Sequence, residues 1–332
     1  MAPSFPDTPA AVPADALADA LFRLGRWLQQ SGYHFTTVTP STQARVNARP
    51  DATLARNLAD VFGWSRPFNA DLLPREAVGW LQNAGLLEAF SGTLRSRVRF
   101  SSLYGQLYAH SAWPTDGADA VFFGPDTCRF AALVQAELAR QPLAANSRIL
   151  DIGCGAGPGG LVAALGSMGH QPALLLADIN PTALEFARAN ARLAGVPQVQ
   201  CIHSDLYAAL DGSFNLIVAN PPYLLDASER LYRHGGGPLG SALSLRILQE
   251  GLSRLAAGGR LVLYTGAPIV GGHDPLLAAA LPIAAQAGAA LHYRELDPDV
   301  FGEELDQPAY AQVERIAAVA LVASRPHASA VP

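Results

Sequence analysis

An apolar, strand-like run at 214–219 is followed by a tetrapeptide whose residue types could carry out chemistry: Asn220, Pro221, Pro222 and Tyr223. The Asn220 side-chain oxygen and the Pro221 carbonyl are two hydrogen-bond acceptors on a rigid backbone, because proline fixes φ and supplies no competing N–H. Tyr223 offers a flat aromatic face for stacking. A planar –NH2 group is a poor nucleophile, so holding it in line with an electrophile supplies much of what a transfer reaction needs. A Pro-Pro turn without a ligand is the alternative.

A glycine-rich run from Asp151 to Gly160 lies between a strand-like and a helix-like segment. Glycines in such a turn let the backbone approach a bound ligand closely. Gly155, Gly157 and Gly160 also fit the G-x-G-x-x-G spacing of a dinucleotide-binding turn. A carboxylate at Asp151 would be poorly placed beside a pyrophosphate but well placed beside a zwitterionic amino acid. A turn that binds no ligand is the alternative.

Two acidic residues end the next two strand-like runs. Asp178 lies about 20 residues beyond Gly157, the spacing typical of an acid that hydrogen-bonds a ribose hydroxyl. Asn180 or Pro181 then begins a helix, so an N-cap cluster is the alternative for this segment. Asp205 could contact an adenine amino group, and a helix cap explains this residue nearly as well.

The chain from about residue 120 onward alternates strand-like and helix-like stretches, which predicts a parallel sheet covered on both faces. The strand-like runs are 148–152, 173–177, 199–203, 214–219 and 260–265. The helix-like runs are 181–193, 239–255 and 275–287. Ligands bind such sheets beyond the carboxyl ends of the strands, which is where the chemical segments lie.

The composition indicates a globular chain, with 50% hydrophobic and 15% charged residues. This balance excludes a disordered acidic or basic polymer. No segment reaches the roughly 18 apolar residues of a membrane span, and the N-terminus lacks the basic and apolar regions of a secretory signal. Cys128, Cys154 and Cys201 are too few for a disulfide framework and lack metal-ligand spacing. We therefore expect a cytoplasmic protein without a metal site.

The charges are unevenly distributed, and all 23 basic residues are arginine. Residues 1–110 carry 10 arginines and 8 acidic residues, whereas residues 111–332 carry 13 arginines and 20 acidic residues. The second part therefore has a net charge of −7 within a total of −5. Because neutralisation of phosphates dominates nucleic-acid affinity, we do not expect this part to be a general nucleic-acid binder.

The first hundred residues predict a separate module in which helices precede a short hairpin. Helix-like segments cover 17–28, 51–62 and 74–86, and strand-like runs cover 93–100 and 102–110. This order is typical of a winged-helix module. Residues 1–14 contain four prolines and are predicted to be a disordered leader, and the loop signals at 113–117 indicate a domain boundary.

Residues 120 to about 323 resemble the class I S-adenosylmethionine-dependent methyltransferases of the NPPY group. The resemblance rests on the glycine loop from Asp151 to Gly157, on Asp178, on Asp205 and on the tetrapeptide. It implies an α/β, Rossmann-like sheet of seven strands in the order 3-2-1-4-5-7-6. The last strand would be antiparallel and would be formed by residues 313–323, and an N-terminal helical or winged-helix domain would precede the sheet.

The resemblance also implies S-adenosylmethionine as the cofactor, and it assigns the site residues. The catalytic residues would be Asn220, Pro221, Pro222 and Tyr223. The cofactor-binding residues would be Asp151, Gly153, Gly155, Gly157, Asp178, Ile179, Asp205, Leu206 and Asn220. No metal is required, because the methyl-bearing sulfonium is already activated. The predicted domains are the leader at 1–14, a winged-helix-like domain at 15–112 and the methyltransferase domain at 118–325.

Within this group, the HemK-type glutamine methyltransferases are the most similar, because Pro125, Asp126 and Thr127 resemble their Pro-Glu-Thr element. The sequence departs from their pattern at Gly124, where they have arginine, and at Cys128, where they have an acid. Methyltransferases of ribosomal RNA guanine amino groups share the tetrapeptide and also carry an additional N-terminal domain. The acceptor therefore stays open between a protein glutamine, an RNA nucleobase and a small molecule.

A function of a different class is the alternative to catalysis. A winged-helix regulator could bind DNA through the N-terminal domain and use the second domain only to sense S-adenosylmethionine. The intact tetrapeptide argues against this function, because a sensor has no need to hold an acceptor. Nucleic acid remains a possible partner of the N-terminal domain, whereas no membrane partner is expected.

A glycine-rich segment at 231–240 follows the tetrapeptide after a short polar loop. It could form the far wall of the acceptor site, with Arg233 or His234 facing an acidic or phosphate group. A flexible connection into the next helix is equally consistent with this composition.

Arg95, Arg97 and Arg99 alternate along one predicted strand and would therefore all point the same way. Three arginines on one face could form an anion-binding wing. We favour the alternative of a solvated strand face.

Overall fold

The computed structural model describes residues 14–196, 199–226 and 230–326. Among these residues the chain forms two compact units. The first unit is drawn from Met1–Asp116, Val121–Pro125 and Arg188–Gly195, and the second from Gly117–Ala120, Asp126–Ala187 and Val196–Pro332. The predicted leader lies outside the described residues, except for Ala14 at the start of the first helix. The division into domains at 15–112 and 118–325 stays a prediction.

The first unit is helical in its N-terminal part. Its helices are α1 (Ala14–Gln30), α2 (Pro40–Asn47), α3 (Leu58–Phe62) and α4 (Arg75–Asn83). Leu21, Leu24 and Leu28 of α1 follow helical spacing and are fully buried, as an apolar helix face requires. The predicted helical N-terminal region is therefore confirmed.

The predicted helix at 51–62 is wrong in its extent. A 3-10 turn occupies Pro50–Ala52, and α3 is confined to Leu58–Phe62. Helix α2 was not predicted from the sequence, because it is mostly polar and lacks an apolar stripe. Its start is set instead by the Thr39 hydroxyl, which accepts from the Thr42 amide at 3.2 Å, and by Pro40 in the first turn.

Two separate hairpins follow α4. Their strands are β1 (Leu87–Phe90), β2 (Thr93–Ser96), β3 (Val98–Leu103) and β4 (Gln106–Ser111). β1 pairs with β2 and β3 pairs with β4, both antiparallel. The continuous strand predicted at 93–100 is therefore wrong. The Ser96 hydroxyl lies within hydrogen-bond distance of both the Val98 amide and the Val98 carbonyl, and this local turn interrupts the extended chain at Arg97.

The second unit contains a seven-stranded sheet within the described residues. Its strands are β5 (Arg148–Ile152), β6 (Ala173–Asp178), β7 (Val199–His203), β8 (Phe214–Ala219), β9 (Leu255–Ile269), β10 (Ala290–Asp297) and β11 (Arg315–Ser324). They lie in the order β7-β6-β5-β8-β9-β11-β10. β11 is antiparallel to both neighbours, and the other pairings are parallel. Numbered within the sheet, this order is 3-2-1-4-5-7-6, which confirms the predicted fold.

One helix precedes the first strand of this sheet, and the others lie between its strands in the sequence. These helices are α5 (Pro125–Arg140), α6 (Pro158–Leu165), α7 (Pro181–Ala194), α8 (Ala242–Ser253) and α9 (Pro275–Gln286). The helix predicted at 239–255 begins only at Ala242, because Leu239 has a φ of 56° within a separate 3-10 turn. No helix in the described ranges is long and apolar enough to cross a membrane.

The central strand of the sheet is covered on both faces. Ile149, Leu150 and Ile152 of β5 are all fully buried. Because successive side chains of a strand point to opposite faces, side chains on each face of β5 must be packed. This burial fixes the sheet as a rigid platform for the residues that follow its strands.

Candidate active site

The carboxyl ends of three neighbouring strands meet at one edge of the sheet. In the register of the parallel ladders, Ile152 of β5 pairs with Ala177 of β6 and with Ala219 of β8. The glycine loop follows β5, Asp178 ends β6, and Asn220 follows β8. The fold therefore brings together three chemical segments that are far apart in sequence.

The glycine loop leaves open space beside its backbone. Its residue Gly157 precedes α6 with a φ of 83°, a left-handed conformation that glycine adopts without steric cost. A Cβ built at Gly153 or Gly155 would meet no atom within 4 Å. This open space lets a ligand approach the backbone closely, so the loop fits the cofactor that the sequence implies.

Asp178 connects the end of β6 to the glycine loop. Its Oδ2 accepts from the Gly155 amide at 2.8 Å, and its Oδ1 accepts from the Asn180 amide at 2.8 Å. Burial raises the pKa of Asp178, while these amide bonds lower it. Each oxygen retains a lone pair for a further donor such as a ribose hydroxyl. Asn180 Oδ1 accepts from the Thr182 amide at 3.0 Å, so within this segment Asn180 is the residue that caps the following helix.

Asp151 is buried rather than presented in the turn, with 1% of its surface exposed. Its Oδ2 accepts from the Gly160 amide at 2.7 Å. Burial raises the pKa of Asp151 to about 7, and the Gly160 bond only partly offsets this effect. Contact of Asp151 with a cofactor amine stays a prediction.

The other predicted cofactor positions differ in exposure. Ile179 is 49% exposed, although its side chain is large and apolar. The side chain of Asp205 is 61% exposed and lies 3.8 Å from the guanidinium of Arg246. Leu206 is buried, and its carbonyl accepts from the Ser204 hydroxyl at 2.7 Å. The roles of these three residues toward a cofactor stay predictions.

Asn220 and Pro221 leave their acceptors available. Asn220 is half-buried, and its side chain forms no hydrogen bond with any residue in the described ranges. The Pro221 carbonyl likewise accepts no hydrogen bond from the described part of the chain. Two partly enclosed acceptors without an internal donor can receive the two hydrogens of one –NH2 group.

Tyr223 is held at its hydroxyl end by a carboxylate from α5. The Tyr223 hydroxyl donates to Asp126 Oδ2 at 3.0 Å, and the Tyr264 hydroxyl donates to Asp126 Oδ1 at 2.8 Å. Burial, together with the Asp126 charge, raises the pKa of Tyr223 well above its usual range. The phenol therefore remains a hydrogen-bond donor at neutral pH.

Sequence reasoning missed Tyr264 and Gly266 as partners of the tetrapeptide. A Cβ at Gly266 of β9 would lie 2.4 Å from Cδ2 of the Tyr223 ring. The absence of a side chain at Gly266 thus allows the ring to lie directly against the strand. A glycine inside an apolar strand is the signal that could have revealed this close approach.

The glycine-rich segment at 231–240 packs against the backbone that follows the tetrapeptide. The Gly235 amide donates to the Leu224 carbonyl at 2.8 Å, and the Leu224 amide donates to the Arg233 carbonyl at 3.2 Å. Arg233 forms ion pairs with Glu304 and, at 3.5 Å, with Asp226. The acidic groups that Arg233 faces therefore belong to the chain itself. His234 is also bound within the chain, since its Nδ1 accepts from the Asp226 amide at 3.2 Å.

The predicted stripe of three arginines on one strand face is wrong. Arg95 stacks over the Phe90 ring at 3.6 Å, and Arg97 lies between two strands. Arg99 is buried and donates to the Gln43 side chain at 3.3 Å and to a backbone carbonyl at 3.2 Å. The turn at Arg97 changes the direction of the chain and gives the three side chains different surroundings.

Comparison with known proteins decides the family. A family model described as the methyltransferase small domain matches residues 131–269. A release factor glutamine methyltransferase of Deinococcus radiodurans is 32% identical over 219 residues, covering 63% of this chain and 73% of that relative. This chain belongs to the methyltransferase small domain family. It is an S-adenosylmethionine-dependent methyltransferase, as the resemblance to the NPPY group indicated.

Other relatives of this methyltransferase are named as ribosomal RNA methyltransferases. Ribosomal RNA small subunit methyltransferase C of Serratia proteamaculans is 29% identical over 122 residues, covering 37% of this chain and 31% of that relative. The corresponding enzyme of Salmonella newport is 35% identical over 109 residues. The chain thus spans about a third of the length of these enzymes, 31% in both cases. Nothing in these comparisons supports the alternative of a DNA-binding regulator.

Solved structures of other methyltransferases are also similar to this one. The tRNA m1G37 methyltransferase of M. jannaschii gives a TM-score of 0.46 at 15% identity, covering 70% of this chain and 58% of that chain. The ribosomal protein L11 methylase of Lactobacillus delbrueckii subsp. bulgaricus gives 0.40 at 18% identity, covering 60% and 80%.

Proposed function

We propose that this methyltransferase transfers the methyl group to a planar nitrogen, and that the nitrogen is the side-chain amide of a glutamine in a protein. The observation that carries the proposal is the pair of available acceptors at Asn220 and Pro221, placed beside the glycine loop at the edge of the sheet. An amide –NH2 group offers two coplanar N–H donors to such a pair.

The residues of the chain orient the acceptor and stabilise the charge that develops on it. Asn220 Oδ1 and the Pro221 carbonyl accept the two N–H groups, and the Tyr223 ring stacks on the amide plane. As the nitrogen forms its bond to the methyl carbon, it gains positive charge, and both N–H donors strengthen. After the sulfur–methyl bond breaks, the excess proton leaves the nitrogen to water.

The cofactor would be held at the glycine loop and at the ends of the next strands. Gly153 and Gly155 leave open space beside the backbone, Gly157 ends the loop in a left-handed conformation, and Asp178 offers lone pairs to a further donor. Asp151, Ile179, Asp205, Leu206 and Asn220 complete the proposed binding set. Bound S-adenosylmethionine supplies a methyl group on an activated sulfonium.

Charge and similarity both favour a protein over an RNA as the acceptor. The glutamine methyltransferase relative is matched over 73% of its length, against 31% for the ribosomal RNA enzyme. Several arginines of the second unit are paired with its own acids and do not offer an unbalanced positive face. These are Arg129, Arg140, Arg230, Arg233, Arg246 and Arg315. Phosphate binding depends on such a face.

The acceptor can be identified with radiolabelled S-adenosylmethionine. The parent enzyme is incubated with a release factor that carries no methyl group and, separately, with unmodified small-subunit ribosomal RNA. We expect label in the release factor, at a glutamine located by mass spectrometry, and none in the RNA. Asn220→Ala should abolish most of this label, whereas the exposed control Asp211→Ala should retain it. Label in the RNA alone would replace glutamine as the acceptor, and label in neither would overturn the proposal.

A further inference from the structure

Asp126 receives hydrogen bonds from three side chains of the second unit. Tyr223 donates to Oδ2 at 3.0 Å, while Tyr264 at 2.8 Å and Arg129 at 3.0 Å both donate to Oδ1. Asp126 is 7% exposed, and a buried carboxylate is tolerated only when it is hydrogen-bonded in this way. Both oxygens are therefore committed, and each holds a different tyrosine.

The carboxylate is itself fixed in position. Asp126 lies in the first turn of α5, where a negative charge is favourable. Arg129, three residues later, also donates to Asp297 Oδ2 at 3.0 Å. The guanidinium thus joins α5 to the end of β10, and Asp126 cannot move without breaking this arrangement.

The Tyr223 ring is buried, and neighbouring residues contact it along its sides while Asp126 holds its hydroxyl end. One side lies against Gly266, and the edges of Tyr264 and Phe301 approach it with centroid distances of 6.5 and 5.9 Å. Edge contacts between aromatic rings have broad energy minima. A directional hydrogen bond at the hydroxyl is the contact that can fix the plane of the ring.

We propose that Asp126 is a positioning residue of the acceptor site, because its carboxylate fixes the plane of the Tyr223 ring and with it the face on which the acceptor stacks. This inference rests on the proposed function, since Tyr223 is the stacking residue there. From stacking alone, Tyr223→Phe would be mild because the ring remains. If the hydrogen bond at the hydroxyl fixes the ring, Tyr223→Phe and Asp126→Asn should instead both raise the KM for the acceptor.

Asp126→Asn tests the carboxylate with almost no change in shape. An amide has one acceptor oxygen, whereas the tyrosines donate to two different oxygens of Asp126. Tyr264 and Arg129 both donate to Oδ1, so the amide keeps its oxygen there, and its –NH2 group faces Tyr223, whose hydroxyl must turn away. We expect the KM for the acceptor to rise about tenfold or more, while affinity for S-adenosylmethionine is retained.

Glu137→Gln is the matched control on the same helix. Glu137 is buried to the same degree, with 11% of its side chain exposed against 10% for Asp126. It likewise pairs with an arginine three residues later, Arg140, at 2.6 Å. No tyrosine contacts the Glu137 carboxylate within the described ranges. This control removes a helix carboxylate without touching the acceptor site, and we expect parental kinetics.

The experiment compares the parent, Asp126→Asn, Tyr223→Phe, the double variant and Glu137→Gln, with the release factor as methyl acceptor. Because both single changes break the same bond, we expect the double variant to be no worse than the worse single variant. Protein labelled with ¹³C at the tyrosine Cζ provides a readout that needs no acceptor. The Tyr223 signal, identified by its loss in Tyr223→Phe, should shift in Asp126→Asn and stay unchanged in Glu137→Gln.

Any of three results would overturn the positioning role. They are additive losses in the double variant, parental acceptor kinetics in Asp126→Asn, and an unchanged Tyr223 Cζ signal in Asp126→Asn. If the parent itself transfers no methyl group to the release factor, the proposed function fails, and the Cζ signal alone decides whether Asp126 holds Tyr223.

Discussion

The carboxylate of Asp178 lies 2.8 Å from the amide nitrogen of Gly155, so the end of β6 is hydrogen-bonded to the loop that follows β5. One side chain therefore has two tasks in the proposed site. It holds the conformation of the glycine loop, and its remaining lone pairs face a ribose hydroxyl. Loss of this carboxylate should weaken cofactor binding through both tasks at once.

We predict that Asp178→Ala lowers the affinity for S-adenosylmethionine at least tenfold. Charge-assisted hydrogen bonds to a carboxylate contribute roughly 1.5–3 kcal/mol each. Isothermal titration calorimetry measures the affinity, and circular dichroism checks that the fold is retained. Asp211→Ala, an exposed acid of the same unit, serves as the control and should bind normally. A variant Asp178→Ala with parental affinity would remove this residue from the site.

Asn220→Ala should reduce kcat by about a hundredfold or more, which is typical for the loss of one preorganised polar group. The Asn220 contact strengthens as the acceptor nitrogen gains positive charge, so its loss acts mainly on the transition state. Affinity for S-adenosylmethionine should change far less, because Asp178 and the glycine loop remain. Steady-state kinetics with the methylated acceptor and calorimetry with the cofactor separate the two effects. Equal kcat values for parent and variant would contradict the assignment of Asn220.

The sheet could be predicted from the sequence because β5, β6 and β8 are short apolar runs that end at or just before a glycine or a polar residue. β10 was missed, since its alternating pattern at an exposed edge includes His292 and Arg294 and lacks a continuous apolar run. The contact between Asp126 and Tyr223 could not be predicted, because 97 residues separate the two. Only the packing of α5 beside β9 brings them within hydrogen-bond distance. Local sequence patterns predict individual helices and strands, whereas this contact forms only when the sheet has assembled.

Asp151 should make stability depend on pH. Its pKa is about 7 in the folded chain against an ordinary value of 3.8, so the folded state holds a proton that the unfolded state releases. The contribution of Asp151 is therefore complete below about pH 4 and is lost as pH rises toward about 7, a change of roughly 4 kcal/mol. Asp151→Asn still accepts from Gly160 but cannot ionise. Urea unfolding of parent and variant should show the parent losing stability relative to Asp151→Asn between about pH 4 and pH 7, with no further loss above that range. Parallel curves would contradict this prediction.

Arg99 and Arg97 should respond differently to the same substitution. Burial lowers the pKa of Arg99 to about 10, and its guanidinium is bonded to Gln43. Arg99→Gln removes a donor from buried acceptors and should lower the free energy of unfolding by about 1–3 kcal/mol. Arg97 has 60% of its side chain exposed, so Arg97→Gln should stay within about 0.5 kcal/mol of the parent. Chemical denaturation measures both variants, and equal losses would contradict the different surroundings described for these arginines.

Gly266→Ala should impair the acceptor site. The new Cβ would lie 2.4 Å from Cδ2 of the Tyr223 ring, closer than any stable contact, so the ring must move away from β9. Because Asp126 holds the hydroxyl of the same ring, the displacement tilts the stacking face. We expect a higher KM for the acceptor and a lower kcat, with unchanged affinity for S-adenosylmethionine.

Gly79→Ala is the matched control, because a Cβ there meets no atom within 4 Å and the residue lies inside α4. It should keep parental kinetics and gain about 0.5–1 kcal/mol of stability from its better helix propensity. Parental acceptor kinetics in Gly266→Ala would show that the Tyr223 ring can shift without cost, and that its close approach to β9 is irrelevant to methyl transfer.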